Sequence, residues 1–482
     1  MIFISGVSMP KAIKLNPFIS GMKCPRCNLF YPLDLYKIRC SKCESFLEIV
    51  YDYDRAKRRV SKWKLLRRLG IWKYKELLPY PLAKDLISLG EGSTPLISTR
   101  RLVPGVRLLL KNEAANPTGS FLDRGSCLII SLLNGIHRKL VCAVNANLAV
   151  SLAAYCAKVG MKLSFFCPPD IDRGEFYQAI ALGAEVHVVR SQKEAYERSS
   201  SLRNGYYYVD SANPFLLEGE KTTAFELAEQ LSWKWPTWIV VPVGTGGHIT
   251  MIWKAVKELS VIRIVRSKPP RLVGVQPKSY SPLVDLFDGS YNRDYYGTIA
   301  RDLVFVDPPK LFEAYRAIKE SKGIAVRVDD KEIIKALKDL ASKEGILAEP
   351  AAASTIAAIR KLREEGIIEK GDTVAAIITG SGLKNPDIIK SLIESKRRER
   401  TLTKTKIFIL KAIRKLGGRG YGYEIKKILE SEYSLGISLP TIYHHLKELE
   451  QMGFLRRLNI VDKRIVNYEL TTEALQFLKK NA

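Results

Sequence analysis

Seven short runs of β-branched and aromatic residues, each followed by a stretch of helical period, constrain this chain more than any other feature. They fall at residues 139–144, 162–167, 185–189, 206–209, 237–243, 271–275 and 373–378. Runs that are apolar on both faces need cover on both faces, and parallel neighbours need a crossover between them, which the intervening helices provide. The pattern therefore predicts an α/β fold built on parallel sheets. At 482 residues with 46% hydrophobic, the chain is long enough for about three domains. The first twenty residues are interrupted by Lys11 and Lys14, too short and too broken for a signal peptide or a membrane span. They read as a tail (residues 1–21), or as an over-extended start ahead of Met9 or Met22. No other uninterrupted apolar run is long enough to span a bilayer, so a cytoplasmic protein with no membrane partner is expected.

Eight cysteines include two close pairs, Cys24-Pro-Arg-Cys27 and Cys40-Ser-Lys-Cys43, with twelve residues between them. That is ribbon spacing for a tetrahedral thiolate site, and it predicts a zinc ribbon over residues 22–54. Disulfide pairing is the other reading, disfavoured in a reducing compartment. With four thiolates the site is closed, hence structural. Cys127, Cys142, Cys156 and Cys167 lie in apolar segments and read as small buried hydrophobes.

Net charge is +27, from 77 Lys+Arg against 50 Asp+Glu. Residues 396–482 hold 19 basic and 9 acidic residues, so 19 − 9 = +10 falls on this tail, nearly three times the charge density of the remainder. Such a balance favours polyanions, although a heat-adapted composition accounts for part of it. A basic linker at 394–402, including Lys396, Arg397, Arg398 and Arg400, precedes three predicted helices. A turn is expected at 417–420, and two strands, 455–460 and 465–470, close the pattern. Three helices and a hairpin over residues 403–482 predict a winged helix-turn-helix. On its third helix Ile442, Leu446 and Leu449 form the inner stripe, leaving Thr441, Tyr443, His444 and Lys447 for base edges and phosphates, with His445 at the flank. Arg456, Arg457, Lys463 and Arg464 in the wing would contact phosphates. The segments Gly422-Tyr423-Glu424-Ile425 and Pro440-Thr441-Ile442-Tyr443-His444-His445-Leu446-Lys447 resemble PadR-type regulators. Double-stranded DNA is the expected partner and a homodimer the expected reader, since one small module seldom binds tightly enough; a protein-binding winged helix is the other reading.

The central segment carries a second resemblance. Asn116-Pro117-Thr118-Gly119-Ser120-Phe121-Leu122-Asp123-Arg124-Gly125 resembles the active-site run of threonine synthase, a pyridoxal-phosphate (PLP) enzyme of fold type II, and Ser88-Leu89-Gly90-Glu91-Gly92-Ser93-Thr94-Pro95-Leu96 resembles another segment of it. The resemblance implies two doubly wound subdomains over residues 55–393. It also implies a PLP-phosphate cup at Gly244, Thr245, Gly246 and Gly247, where glycines open a helix after an apolar strand. Asn147 would contact the phenolic oxygen and Thr379 the pyridine nitrogen. The segments Glu218-Gly219-Glu220-Lys221-Thr222 and Ala348-Glu349-Pro350 resemble site-lining segments of the family, and equally read as ordinary helix starts.

Two departures matter. Leu122 stands at the family's Schiff-base lysine, so no amine is available there for covalent or proton-transfer work. In the substrate-carboxylate loop, Val144-Asn145-Ala146-Asn147-Leu148 replaces Ser-Thr-Gly-Asn-Thr; each lost donor to a buried carboxylate costs on the order of 1.5–3 kcal/mol. Lys111 and Lys384 are the nearest candidates for a replacement, and neither is expected to reach the aldehyde carbon. These departures predict a catalytically degenerate threonine-synthase-like scaffold fused to a DNA-binding winged helix. It would be a transcriptional regulator that senses non-covalent PLP, an amino acid, a phosphorylated amino acid or another small anionic metabolite. The alternative is an active threonine synthase, turning O-phosphohomoserine and water into threonine and phosphate, with DNA binding added. A third reading makes the chain a regulatory partner of a true synthase subunit.

Overall fold

The computed structural model describes residues 14–61, 70–82, 85–202, 205–290, 297–390, 402–458 and 466–480. It resolves into two compact units, residues 1–386 and 387–482. No described helix is long and apolar enough to cross a membrane.

The first unit opens with a three-stranded antiparallel sheet in which Ile19–Lys23 lies between Phe30–Tyr31 and Glu48–Tyr51. The described chain includes residues 14–21, ahead of the expected boundary at residue 22. The Asn16 amide donates to the carbonyls of Lys75, Glu76 and Leu78 at 3.2, 2.8 and 2.9 Å, so this stretch is stitched to the fold instead of fraying. Asp52 ends the third strand by capping helix Tyr53–Arg59, accepting from the Arg55 amide at 2.9 Å. Ile71–Leu77 forms a short 3-10 turn; residues 62–69 lie outside the described chain.

The seven predicted runs all become strands, in two sheets. Four form an all-parallel sheet ordered Glu185–Val188, Lys162–Cys167, Lys139–Ala143, Tyr206–Tyr208. The others join a six-stranded sheet ordered Ile324–Val328, Arg271–Pro277, Trp238–Pro242, Thr373–Ile378, Arg107–Asn112, Leu96–Thr99, parallel except for the last pair. Its central strand Trp238–Pro242 is buried at every position, as a strand covered on both faces requires. Helix Asp123–Leu133 is likewise buried throughout. Cys127, Cys142, Cys156 and Cys167 are all free and buried.

A pillar of charge stands inside this core. Arg124 donates to both carboxylate oxygens of Glu113, at 2.7 and 2.8 Å, and lies 2.6 Å from Glu226. All three side chains are buried. Burial pushes the Glu113 carboxyl up, and the Arg124 guanidinium overrides it, holding Glu113 down at about 2.

The second unit contains helices Lys404–Lys415, Gly422–Tyr433 and Leu439–Gln451, strands Leu455–Arg457 and Asn467–Leu470, and helix Thr472–Lys480. Ser438 caps the third helix and Pro440 sits in its first turn. Ile442, Leu446 and Leu449 are fully buried in its core. The turn expected at 417–420 differs. Gly417 and Gly418 take left-handed φ of 80° and 91°, while Arg419–Tyr421 forms a third strand on Asn467–Leu470, because an edge partner satisfies its amides better than a loop does. The linker residues Lys396, Arg397, Arg398 and Arg400, and the wing residues Lys463 and Arg464, lie outside the described chain.

Candidate functional site

Three loops of the first unit are stitched into one wall. Ser120 bridges Gly380, and Ala348 bridges Ser381. The Phe121 amide donates to the Thr379 carbonyl at 3.1 Å, and the Ser381 amide to the Gly119 carbonyl at 2.9 Å. Asp123 ties down the first loop, accepting from the Thr118 amide at 2.7 Å and from the Ser151 hydroxyl at 2.6 Å. Gly380 leaves room for the Glu349 carboxylate, since a Cβ there would lie 2.1 Å from Glu349 Oε2.

These loops close a cavity of about 60 Å³, whose lining includes Leu122, Asn147, Gly244, Thr245, Gly246, His248, Asp302, Glu349 and Thr379. Four of the five residues assigned to the phosphate cup and pyridine contact thus meet at one place with Asn147 and Leu122. Gly247 begins helix Gly247–Val261, preceded by Gly246 in a left-handed conformation and with no side-chain cap. Such a start presents unpaired amide hydrogens to an anion. The Phe121 ring stacks on His248 with centroids 4.1 Å apart. Burial pulls the His248 imidazole down to about 3, so it stands neutral. Asn145, not a hydroxyl residue, caps helix Ala146–Val159 by accepting from the Leu148 amide at 3.0 Å. The preceding Val144 takes φ +67°, a costly conformation for a β-branched residue.

Lys384, placed by the sequence at the pyridine end, is 2% exposed and donates its ammonium to Asn147 Oδ1. Its charge acts on Asp302, Glu349, Glu175 and Asp123. Lys111 remains elsewhere, held by the Thr94 carbonyl at 2.8 Å and by Glu226 at 3.3 Å. Asn147 lines the same cavity as Asp302 and Glu349. Burial, then the neighbouring Asp302, pushes the Glu349 carboxyl up to about 7. Glu349 and His248 lie in segments that sequence motifs mark. Asp302 carries no signal of its own, because a segment remote in sequence delivers it.

The lining suits PLP chemically. A cup for phosphate, a hydroxyl at Thr379 and an amide at Asn147 meet its three polar ends, and His248 Nδ1 and Glu349 Oε2 are buried with no hydrogen-bond partner. Room is the constraint: about 60 Å³ admits roughly four waters at ~15 Å³ each. The segment holding Asp302 and Phe305 leans on the cup, with a Cβ at Gly244 falling 2.8 Å from the Asp302 carbonyl and 2.9 Å from the Phe305 ring. Entry of a ring with a phosphate arm requires this segment to move aside.

The four ribbon cysteines converge within 4.8 Å of one another. Their sulfurs stand 3.4 Å apart for Cys24 and Cys43, 3.4 Å for Cys27 and Cys40, and 3.9 Å for Cys27 and Cys43. A tetrahedron with metal–sulfur bonds of about 2.3 Å has edges of about 3.8 Å, so the donor set fits zinc. Each pair turns through a left-handed residue, Asn28 at φ 62° and Glu44 at φ 57°.

In the second unit Thr441, Tyr443, His444, Lys447, Arg456 and Arg457 are all exposed. Tyr443 packs on Gly422, where a Cβ would meet its ring at 2.6 Å. Three of the candidates are engaged: the Thr441 hydroxyl shares a hydrogen bond with the Ser438 hydroxyl at 2.7 Å, His444 lies 3.7 Å from Glu448, and Arg456 pairs with Glu469, which also holds Arg419 at 2.7 Å.

Comparison with known proteins agrees with this geometry. The family described as "Pyridoxal-phosphate dependent enzyme" matches residues 87–380, more than half of the chain. The chain belongs to this family. Among its relatives are proteins named threonine synthase: one from Methanocaldococcus jannaschii is 40% identical over 379 residues, covering 76% of this chain and 93% of the relative. Another from Methanosarcina acetivorans is 35% identical over 385 residues, 77% and 94% respectively. Among solved structures, an L-serine ammonia-lyase from Rhizomucor miehei superposes with a TM-score of 0.54 at 18% identity, covering 63% of this chain and 98% of that one. At that identity the likeness concerns the fold alone.

Proposed function

We propose that the first unit is a PLP-dependent enzyme of threonine-synthase type, acting on a phosphorylated amino acid, and that the second is a winged helix that binds duplex DNA. The observation that carries the first half is the convergence of Asn147, Thr379, Glu349 and the Gly244–Gly247 cup on one cavity. Relatives at 40% and 35% identity, matched over nearly their whole length, support the same reading. The expected loss of activity rested on Leu122 and on the altered carboxylate loop; a buried amine, Lys384, meets Asn147 of the cavity lining and supports activity in spite of Leu122.

PLP, when bound, supplies an electron sink for charge developing on the substrate. The helix start at Gly247 would hold the phosphate, Thr379 the ring nitrogen, and Asn147 the phenolic oxygen. Glu349, pushed up to about 7, is suited to hold or release a proton near neutrality, and Phe305 excludes water from the cup. The four cysteines would hold zinc as a structural clamp. The test is direct: purified full-length protein with PLP and O-phosphohomoserine should release phosphate and threonine in equal amounts, and no turnover with PLP bound refutes it.

A second reading keeps a specific observation. The carboxylate loop holds Val144, Asn145 and Leu148 where hydroxyls are expected, which favours binding without turnover, and a metabolite-sensing DNA-binding protein would follow. Duplex binding that shifts with PLP or O-phosphohomoserine, in protein that shows no turnover, would select it.

A further inference from the structure

We propose that Lys384 supplies, from beside Asn147, the reactive primary amine that Leu122 lacks, and condenses with an aldehyde held in the cavity. The inference rests on the cofactor reading above and assigns its covalent anchor.

Four lysines of the first unit are buried among the described residues: Lys111, Lys221, Lys310 and Lys384. Three are engaged away from the cavity. Lys111 is held by Thr94 and Glu226, Lys221 by Glu218 and by Glu258 at 2.9 Å, and Lys310 by the Phe46 carbonyl at 3.3 Å. None of those partners lines the cavity. Lys384 alone of the four meets a lining side chain, Asn147.

Its direction is built into the chain. Lys384 ends the 3-10 turn Gly382–Lys384, whose start Ser381 caps by accepting from the Leu383 amide. Leu383 is 71% exposed and Lys384 is 2% exposed, so the turn aims the lysine inward. Ser381 is bonded to Gly119 and Thr379 to Phe121, which fixes this turn against the residue beside Leu122. The carbonyl of Lys384 abuts Gly174, where a Cβ would lie 2.2 Å away. A backbone held on both sides delivers the amine with little freedom, as near-attack geometry demands.

The chemistry balances without a redox partner. The ammonium passes a proton to a carboxylate that faces it, Glu349 or Asp302. The nitrogen lone pair attacks the aldehyde carbon and a carbon–nitrogen double bond forms. The carbonyl oxygen leaves as water, taking up the two remaining nitrogen protons. A lysine that only neutralises Asp302, Glu349 and Glu175 would form no such bond.

The experiment uses full-length protein and PLP. After incubation, gel filtration and borohydride reduction, peptide mass mapping locates the stable pyridoxyl adduct. One adduct on Lys384 is expected. Lys384→Arg, which keeps the charge, should melt normally and retain PLP through gel filtration yet lose the adduct. Leu122→Lys serves as a positive control, since its new amine stands at the family position. Retained PLP with no adduct in the wild type, or adducts on other lysines, overturns the inference and leaves the cofactor reading standing. Failure to retain PLP at all overturns both.

Discussion

Thr379 Oγ1 donates to Glu349 Oε1 at 2.7 Å in a fully buried pair, joining the residue assigned to the ring nitrogen to the most strongly placed proton acceptor of the cavity. The pair makes stability depend on pH. Glu349 is pushed from 4.5 up to about 7 by burial and by Asp302. Between these values the folded chain keeps a proton that the unfolded chain releases, so this group subtracts stability as pH rises through the window. Glu349→Gln keeps the acceptor for Thr379 and removes the charge. It should raise the melting temperature at pH 8, by up to about 3 kcal/mol in stability, and change little at pH 4.5. Equal effects at both pH values in thermal melts would contradict this.

Arg124 is the next point of leverage. Replacing it with Met leaves Glu113 and Glu226 in the core with Lys111 as their remaining counter-charge. A loss of about 3–5 kcal/mol is expected, read by urea unfolding. A loss below about 1 kcal/mol would mean that the pillar relaxes or takes up water.

The cysteine cluster predicts one zinc per chain by elemental analysis. Cys40→Ser should release the metal and lower the melting temperature, and a chelator should do the same to the wild type, because binding energy at a closed site is folding energy. Metal-free protein with an unchanged melt would show the four sulfurs to be mere packing.

For the second unit, Glu469 neutralises Arg419 and Arg456. Glu469→Gln should therefore tighten duplex binding and steepen its salt dependence, while Lys447→Ala should weaken it and reduce the slope of log K against log salt by about 1. Fluorescence anisotropy at several salt concentrations reads both. If neither variant moves the slope, this surface does not face phosphate.

Much of the architecture was legible before any coordinates. Strand runs, the cysteine pairs and the inner stripe of Ile442, Leu446 and Leu449 are local periodicities and spacings, and local sequence carries them. Arg419 and Gly420 read as part of a turn because their partner strand lies nearly fifty residues on, beyond the reach of any local pattern. Motif order marked Gly244–Gly247, Asn147 and Thr379, but Asp302 has no motif around it.

By itself the sequence determined that the chain is α/β with parallel sheets, that four thiols are spaced for one ion, and that position 122 has no amine. Only the tertiary structure decided that a buried amine, Lys384, meets Asn147 of the cavity lining. Direction is the physical reason: whether Lys384 points to solvent or inward depends on a turn clamped between Gly119, Phe121 and Gly174, and those contacts join segments more than two hundred residues apart.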